Sequence, residues 1–116
     1  MKIEIKSSDG IQVVEIDSRA VDASNAQELK THLAPLLKPE ARLVLDLARV
    51  GFIDSTGLGV LVSCLRQIHG TGGEIKLGSL TKPVRALFEL VRMHRVFEIF
   101  NTSEEAVRSY AVASRT

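Results

Sequence analysis

Asp54-Ser55-Thr56-Gly57 sets a carboxylate and two hydroxyls side by side, with a second glycine following at Gly59. Such a group could serve as a nucleophile, as an acid–base centre, as an anion cradle or as the start of a helix, and the neighbouring residues discriminate among these. A hydrolase serine sits in a Gly-x-Ser-x-Gly elbow, which does not surround Ser55, and His32, His69 and His94 are too scattered to suggest a triad. No second acid stands at a spacing that would pair with Asp54 for proton transfer. Gly57-x-Gly59 opens like a dinucleotide fingerprint, but Val62 occupies the third glycine position. Glu74-Ile75-Lys76-Leu77-Gly78 also lacks a closing acid for a ribose hydroxyl. One cysteine, Cys64, and three separated histidines match no zinc spacing. No metal, no cofactor and no catalytic activity are therefore expected. What remains for Ser55 is a helix N-terminus, where a hydroxyl can cap a backbone N–H and where the free amides and the helix dipole favour an added anion.

The elements around these residues follow from periodicity. Leu43, Val44, Leu45 and Leu47 form an apolar strand suited to a covered parallel sheet, expected to run on through Phe52 and Ile53 into the Ser55 turn. Leu58, Leu61, Val62, Leu65 and Ile68 repeat as one helical face, Gly70 stops that helix, and Ser55 is placed at or near its N-cap. Cys64 flanks the same stripe and is read as buried. Upstream, Lys2 to Lys6 and Ile11 to Ile16 make a hairpin about Asp9-Gly10. Ser24-x-x-Gln27 reads as a capping box, opening a helix whose Ala26, Leu29, Leu33, Leu36 and Leu37 run to Lys38. Pro35 should bend that helix or close it early. Downstream, Glu74 to Leu77 is a strand, and Thr81-Lys82-Pro83 begins a helix with the stripe Val84, Leu87, Phe88 and Val91. Phe97 to Phe100 is a short strand, and Thr102-x-x-Glu105 caps a final helix that lays Ala106, Val107 and Tyr110 on the sheet. Alternation of single strands and helices after residue 40 indicates an α/β sandwich.

At 116 residues, 45% hydrophobic and 25% charged, with net charge +1, the chain reads as one ordinary globular domain with no polyanion-binding signal. A lone cysteine excludes an internal disulfide, and no signal-peptide or membrane-length apolar run is present. The expectation is a cytoplasmic monomer that contacts neither nucleic acid nor membrane. Lys82, Arg85, Arg92, His94 and Arg95 form a basic stretch that reads either as a solvated face or as a second interaction surface.

Val50-Gly51-Phe52-Ile53-Asp54-Ser55-Thr56-Gly57-Leu58-Gly59-Val60-Leu61 resembles the signature of the bacterial anti-sigma factor antagonists, the stand-alone members of the STAS domain family, and the likeness extends from Met1 to about Ala111. The resemblance implies a single STAS-like α/β domain: a mixed sheet of four to five strands with about four helices, a core over 1–111 and a loose tail over 112–116. It further implies that Ser55 is a phosphoacceptor, with Thr56 as the secondary candidate. The modifying partner would be both serine kinase and anti-sigma factor. Asp22, Asp54, Ser55, Thr56, Gly57 and Gly59 would bind it, and a PP2C-type phosphatase would reset the switch. Asp22 matches an acidic position in a loop that lies beside the phosphoacceptor in relatives, although Ser18-Arg19-Ala20 stands where many of them carry a glycine. The alternative within the family is a scaffold or accessory subunit, in a transporter or signalling complex, that binds without a phosphorylation cycle.

Overall fold

The computed structural model describes the backbone of residues 1–114 and the side chains of residues 1–111, so the tail expected over 112–116 lies outside the described side chains. β1 (Lys2–Ser8) and β2 (Ile11–Asp17) pair antiparallel about Asp9 and Gly10, whose φ values of 52° and 81° are those of a tight two-residue hairpin turn. β2 then pairs parallel with β4 (Arg42–Asp46), β4 with β6 (Glu74–Gly78), and β6 with β7 (Glu98–Phe100), giving a five-stranded sheet in the order β1-β2-β4-β6-β7. This is the mixed sheet expected, with four α-helices around it.

Period-two alternation sorts the sheet residues between two layers. Val14, Ile16, Leu43, Leu45, Ile75 and Leu77 point to one face and pack beneath α1 (Ala26–Leu33), α2 (Ser55–His69) and α3 (Lys82–Leu90), meeting Leu29, Leu33, Leu61, Leu65, Ile68, Val84 and Phe88. Ile11 and Val44 point to the other face, where Ala106 and Tyr110 of α4 (Ser103–Ser114) cover them. Tyr110 donates its hydroxyl proton toward the carbonyls of Leu43 and Glu74, at 2.7 and 3.0 Å. Burial pushes its pKa far above the ordinary phenol value.

Several boundaries differ from the sequence expectation. The central strand does not run on into Phe52: Asp46 accepts the N–H of Ala48, Leu47 accepts that of Val50, and the chain turns out of the sheet. It re-emerges as β5 (Phe52–Ile53), paired parallel with β3 (Ala20–Val21) in a separate two-stranded ribbon. The first helix closes at Leu33 and passes into a 3₁₀ turn over Ala34–Leu36, because Pro35 has no N–H to offer Thr31. Ser24 and Gln27 do not form a capping box; Asn25 holds the N-cap position, and the Ser24 hydroxyl is taken by Asp22. Val91 leaves the buried stripe of α3 and is 40% exposed, since the helix ends at Leu90 and Arg92 turns the chain with φ of 61°.

Candidate functional site

The β3–β5 ribbon brings the loop after Val21 against the start of α2. Asp54 donates its N–H to the Val21 carbonyl at 3.1 Å, and Gly51 donates to Arg19 at 2.8 Å. Asp54, half-buried, is the N-cap of α2: its Oδ1 accepts the N–H of Gly57 at 2.9 Å. Its Oδ2 accepts the N–H of Ala23 at 3.0 Å. One carboxylate thus ties the helix start to the neighbouring loop. The cap predicted for Ser55 belongs to Asp54, because a carboxylate in extended backbone just before the first turn reaches the third amide, whereas Ser55 is already inside the helix.

As the first helical residue, Ser55 is exposed, and among the described residues no hydrogen bond engages its hydroxyl. Thr56 beside it is exposed as well. Among the described residues the N–H groups of Ser55 and Thr56 have no acceptor, as the first amides of a helix do not unless a side chain supplies one.

Asp22 faces its own loop. Its Oδ1 accepts the Ser24 hydroxyl at 2.6 Å and the Ser24 N–H at 2.9 Å, while its backbone N–H donates to Asn25 Oδ1 at 2.9 Å. The Ser24 hydroxyl, and after it the Ser24 N–H, hold the Asp22 carboxyl below the usual carboxylate range. Asn25 Nδ2 then donates to the Ala20 carbonyl at 2.9 Å, so the loop is braced from within.

The two glycines play different parts. A Cβ on Gly57 would lie 2.5 Å from the Val21 carbonyl oxygen, so the close approach of the Asp22 loop requires glycine there. A Cβ on Gly59 would meet nothing within 4 Å, so nothing inside the chain requires glycine there. Gly59 instead opens onto a groove along α2, lined by Ser55, Leu58, Gly59, Val62, Ser63, Arg66 and Met93. Leu58 and Val62 belong to the helical stripe read from the sequence but are only half-buried, and the lining residues Ser63, Arg66 and Met93 were not singled out there. A stripe wider than the core can cover was the available signal.

The remaining candidates separate from this site. Cys64 is buried, and that burial pushes its thiol pKa up. The three histidines are exposed, with His69 paired to Glu74 at 2.7 Å. Arg85, His94 and Arg95 line a hollow beside β7. Among the described residues no group of acids, histidines and cysteines is placed to hold a metal, and no helix is long and apolar enough to cross a membrane.

Three comparisons bear on this arrangement. The STAS domain matches residues 2–106. BtrV of Bordetella bronchiseptica is 32% identical over 114 residues, covering 97% of each chain, and the anti-sigma-B factor antagonist of Bacillus subtilis is 30% identical over 108 residues, covering 93% of this chain and 98% of that one. The Bacillus cell fate determinant SpoIIAA, solved in its phosphorylated form, shares the fold with a TM-score of 0.68 at 16% identity, over 94% of this chain and 99% of that one. With its signature at the β5–α2 junction and a match across nearly its whole length, the chain belongs to the STAS domain family, with the anti-sigma factor antagonists as its kin.

Proposed function

We propose that the chain is an anti-sigma factor antagonist working by partner switching. Unmodified, it captures an anti-sigma factor that is also a serine kinase, through Asp22, Asp54, Ser55, Thr56, Gly57 and Gly59. The kinase transfers the γ-phosphoryl group of its own ATP to Ser55 Oγ, the hydroxyl proton leaves, and the partner dissociates with ADP as by-product. A PP2C-type phosphatase hydrolyses the ester and restores the binding form. The chain itself performs no catalysis.

The observation that carries this reading is the state of Ser55: an exposed hydroxyl with no hydrogen-bond partner among the described residues, on a helix start already capped by another residue. A serine needed for the fold would be engaged. Phosphorylation adds roughly −1.5 to −2 charges, which the open amides of Ser55 and Thr56 and the α2 dipole can accept. Against the partner the same charge joins those of Asp54 and Asp22. A penalty of about 3 kcal/mol would weaken binding roughly 100-fold, enough for release. The solved phosphorylated form of SpoIIAA supports the view that this fold tolerates the modification.

The test is incubation with the purified serine-kinase anti-sigma factor from the same genome, followed by mass spectrometry and titration of both forms. Phosphate on Ser55 with loss of affinity is expected. Phosphate mainly on Thr56 or elsewhere, or equal affinity of the two forms, would overturn the proposal.

A further inference from the structure

The groove along α2 extends well beyond the residues of the switch. From Ser55 to Arg66 it covers eleven helical steps, about 16 Å at 1.5 Å per residue. It holds about 470 Å³ and is open to solvent along its length. Ser55, Gly59 and Ser63 recur every fourth residue and form a low row, and Leu58, Val62 and Arg66 form the parallel ridge beside it. A low row against a ridge at this spacing is the relief into which a second helix sets its own ridge. The apolar lining, Leu58, Val62 and Met93, is only half covered by the rest of the chain. Arg66 is the one charged residue in the lining, is exposed, and makes no ion pair among the described residues.

We propose that this groove is a docking channel for a helix of the anti-sigma factor, one that seats apolar side chains against Leu58, Val62 and Met93 and presents a carboxylate to Arg66. The inference rests on the partner-switching reading, because a kinase centre that reaches Ser55 must also cover the groove that starts there. Charge complementarity selects the acidic side chain: a lone cation at the end of an otherwise uncharged groove pairs most favourably with a carboxylate. It also divides the labour. The Ser55 end senses phosphate, and the Arg66 end supplies affinity and choice of partner in either state.

The test measures affinity of the same purified serine-kinase anti-sigma factor for the wild-type chain and for Arg66→Glu, Gly59→Leu and Ser55→Asp. Arg108→Glu, on α4, controls for the change in net charge. Thermal melts verify each fold; Gly59→Leu should melt no lower than wild type, since its Cβ enters open space. Arg66→Glu is expected to weaken binding about tenfold or more and Gly59→Leu about 100-fold, with Arg108→Glu unchanged. Folded Arg66→Glu that binds like wild type, while Ser55→Asp does not, would overturn the channel and leave the switch standing; Gly59→Leu that binds like wild type would overturn both, since Gly59 belongs to each. Failure of the wild-type chain to bind the kinase would overturn both. Concentration-dependent self-association of wild type, abolished by Gly59→Leu, would assign the groove to a second copy and also overturn the proposal.

Discussion

Ser55 and Ser103 occupy the same position in two helices and lead opposite lives. Each is the first residue after an N-cap whose side-chain oxygen accepts the third amide: Asp54 from Gly57 at 2.9 Å in α2, and Thr102 from Glu105 at 3.1 Å in α4. Ser103, however, is 4% exposed. Its hydroxyl donates to Asp46 Oδ2 at 2.8 Å, and its N–H donates to the Ser79 hydroxyl at 3.2 Å. Its backbone also lies so close to β6 that a Cβ on Gly78 would come within 2.7 Å of the Ser103 Cα. Ser55 has none of these neighbours. Local helix geometry leaves a serine at this place free to be either a building block or a handle, and tertiary surroundings decide which.

The sharpest way to break that contrast is to put a negative charge at both places. Ser103→Asp would bury a carboxylate against Asp46, offset only in part by the exposed Lys6 and Arg108 at the rim of the same hollow, at an expected cost of roughly 3 kcal/mol or more. In a domain whose whole stability is of order 5–15 kcal/mol, urea titration should show a largely lost or very early transition. Ser55→Asp, exposed and at the favourable end of the α2 dipole, should stay within about 0.5 kcal/mol of wild type. Similar losses for both would mean that Ser55 is as structural as Ser103.

A second pair, Gly57 and Gly59, sharpens the comparison within α2. Gly57→Ala pushes a methyl into the Val21 carbonyl, a backbone atom that cannot swing away, and should cost about 1–3 kcal/mol while prying the Asp22 loop from the helix. Gly59→Ala should stabilise by up to about 1 kcal/mol, because the substitution restores helix propensity in open space. Paired denaturation curves read both signs at once.

How much of this was legible in the sequence depends on the range of the contact that decides it. The α2 stripe, the Asp9-Gly10 hairpin, the early close forced by Pro35 and the Thr102 cap are decided by neighbours a few residues apart, and all stand in the structure. The Asp54-Ser55-Thr56-Gly57 stretch was equally readable as the place to look. The β3–β5 ribbon was not, because each strand is two residues long and exists only through its distant partner. The turn that separates Leu47 from Phe52 had a local signal in Arg49 and Gly51, which break the apolar run, but the exit from the sheet is completed by the distant Arg19 carbonyl that receives the Gly51 N–H. The roles of Asp54 and Gly57 depend on Ala23 and Val21, and that of Ser103 on Asp46, all far away in sequence. Gly59 differs from Gly57 only in having nothing opposite it.

Asp54 offers an intermediate effect. Asp54→Ala removes the α2 cap, worth about 1 kcal/mol, and frees the Ala23 N–H, so amide exchange should quicken at Gly57 and Ala23 together. Asp54→Asn keeps an acceptor for the helix and should recover most of the stability. If the alanine variant speeds exchange only at Gly57, the carboxylate caps the helix without tying down the loop.

The smallest expected effect is the most diagnostic for Ser55. If its hydroxyl were the cap, Ser55→Ala would cost about 1 kcal/mol. The Asp54 carboxylate already takes the third amide, and the Ser55 hydroxyl meets no partner among the described residues, so removing it should change stability by less than about 0.5 kcal/mol. Alanine is also the stronger helix former, which biases the small change toward stabilisation. The same substitution removes the acceptor oxygen altogether, so phosphate incorporation should vanish from a protein that melts like wild type and still binds its partner. A loss near 1 kcal/mol would show that Ser55 shares the cap with Asp54, and the distance between Ser55 and Ser103 would shrink accordingly.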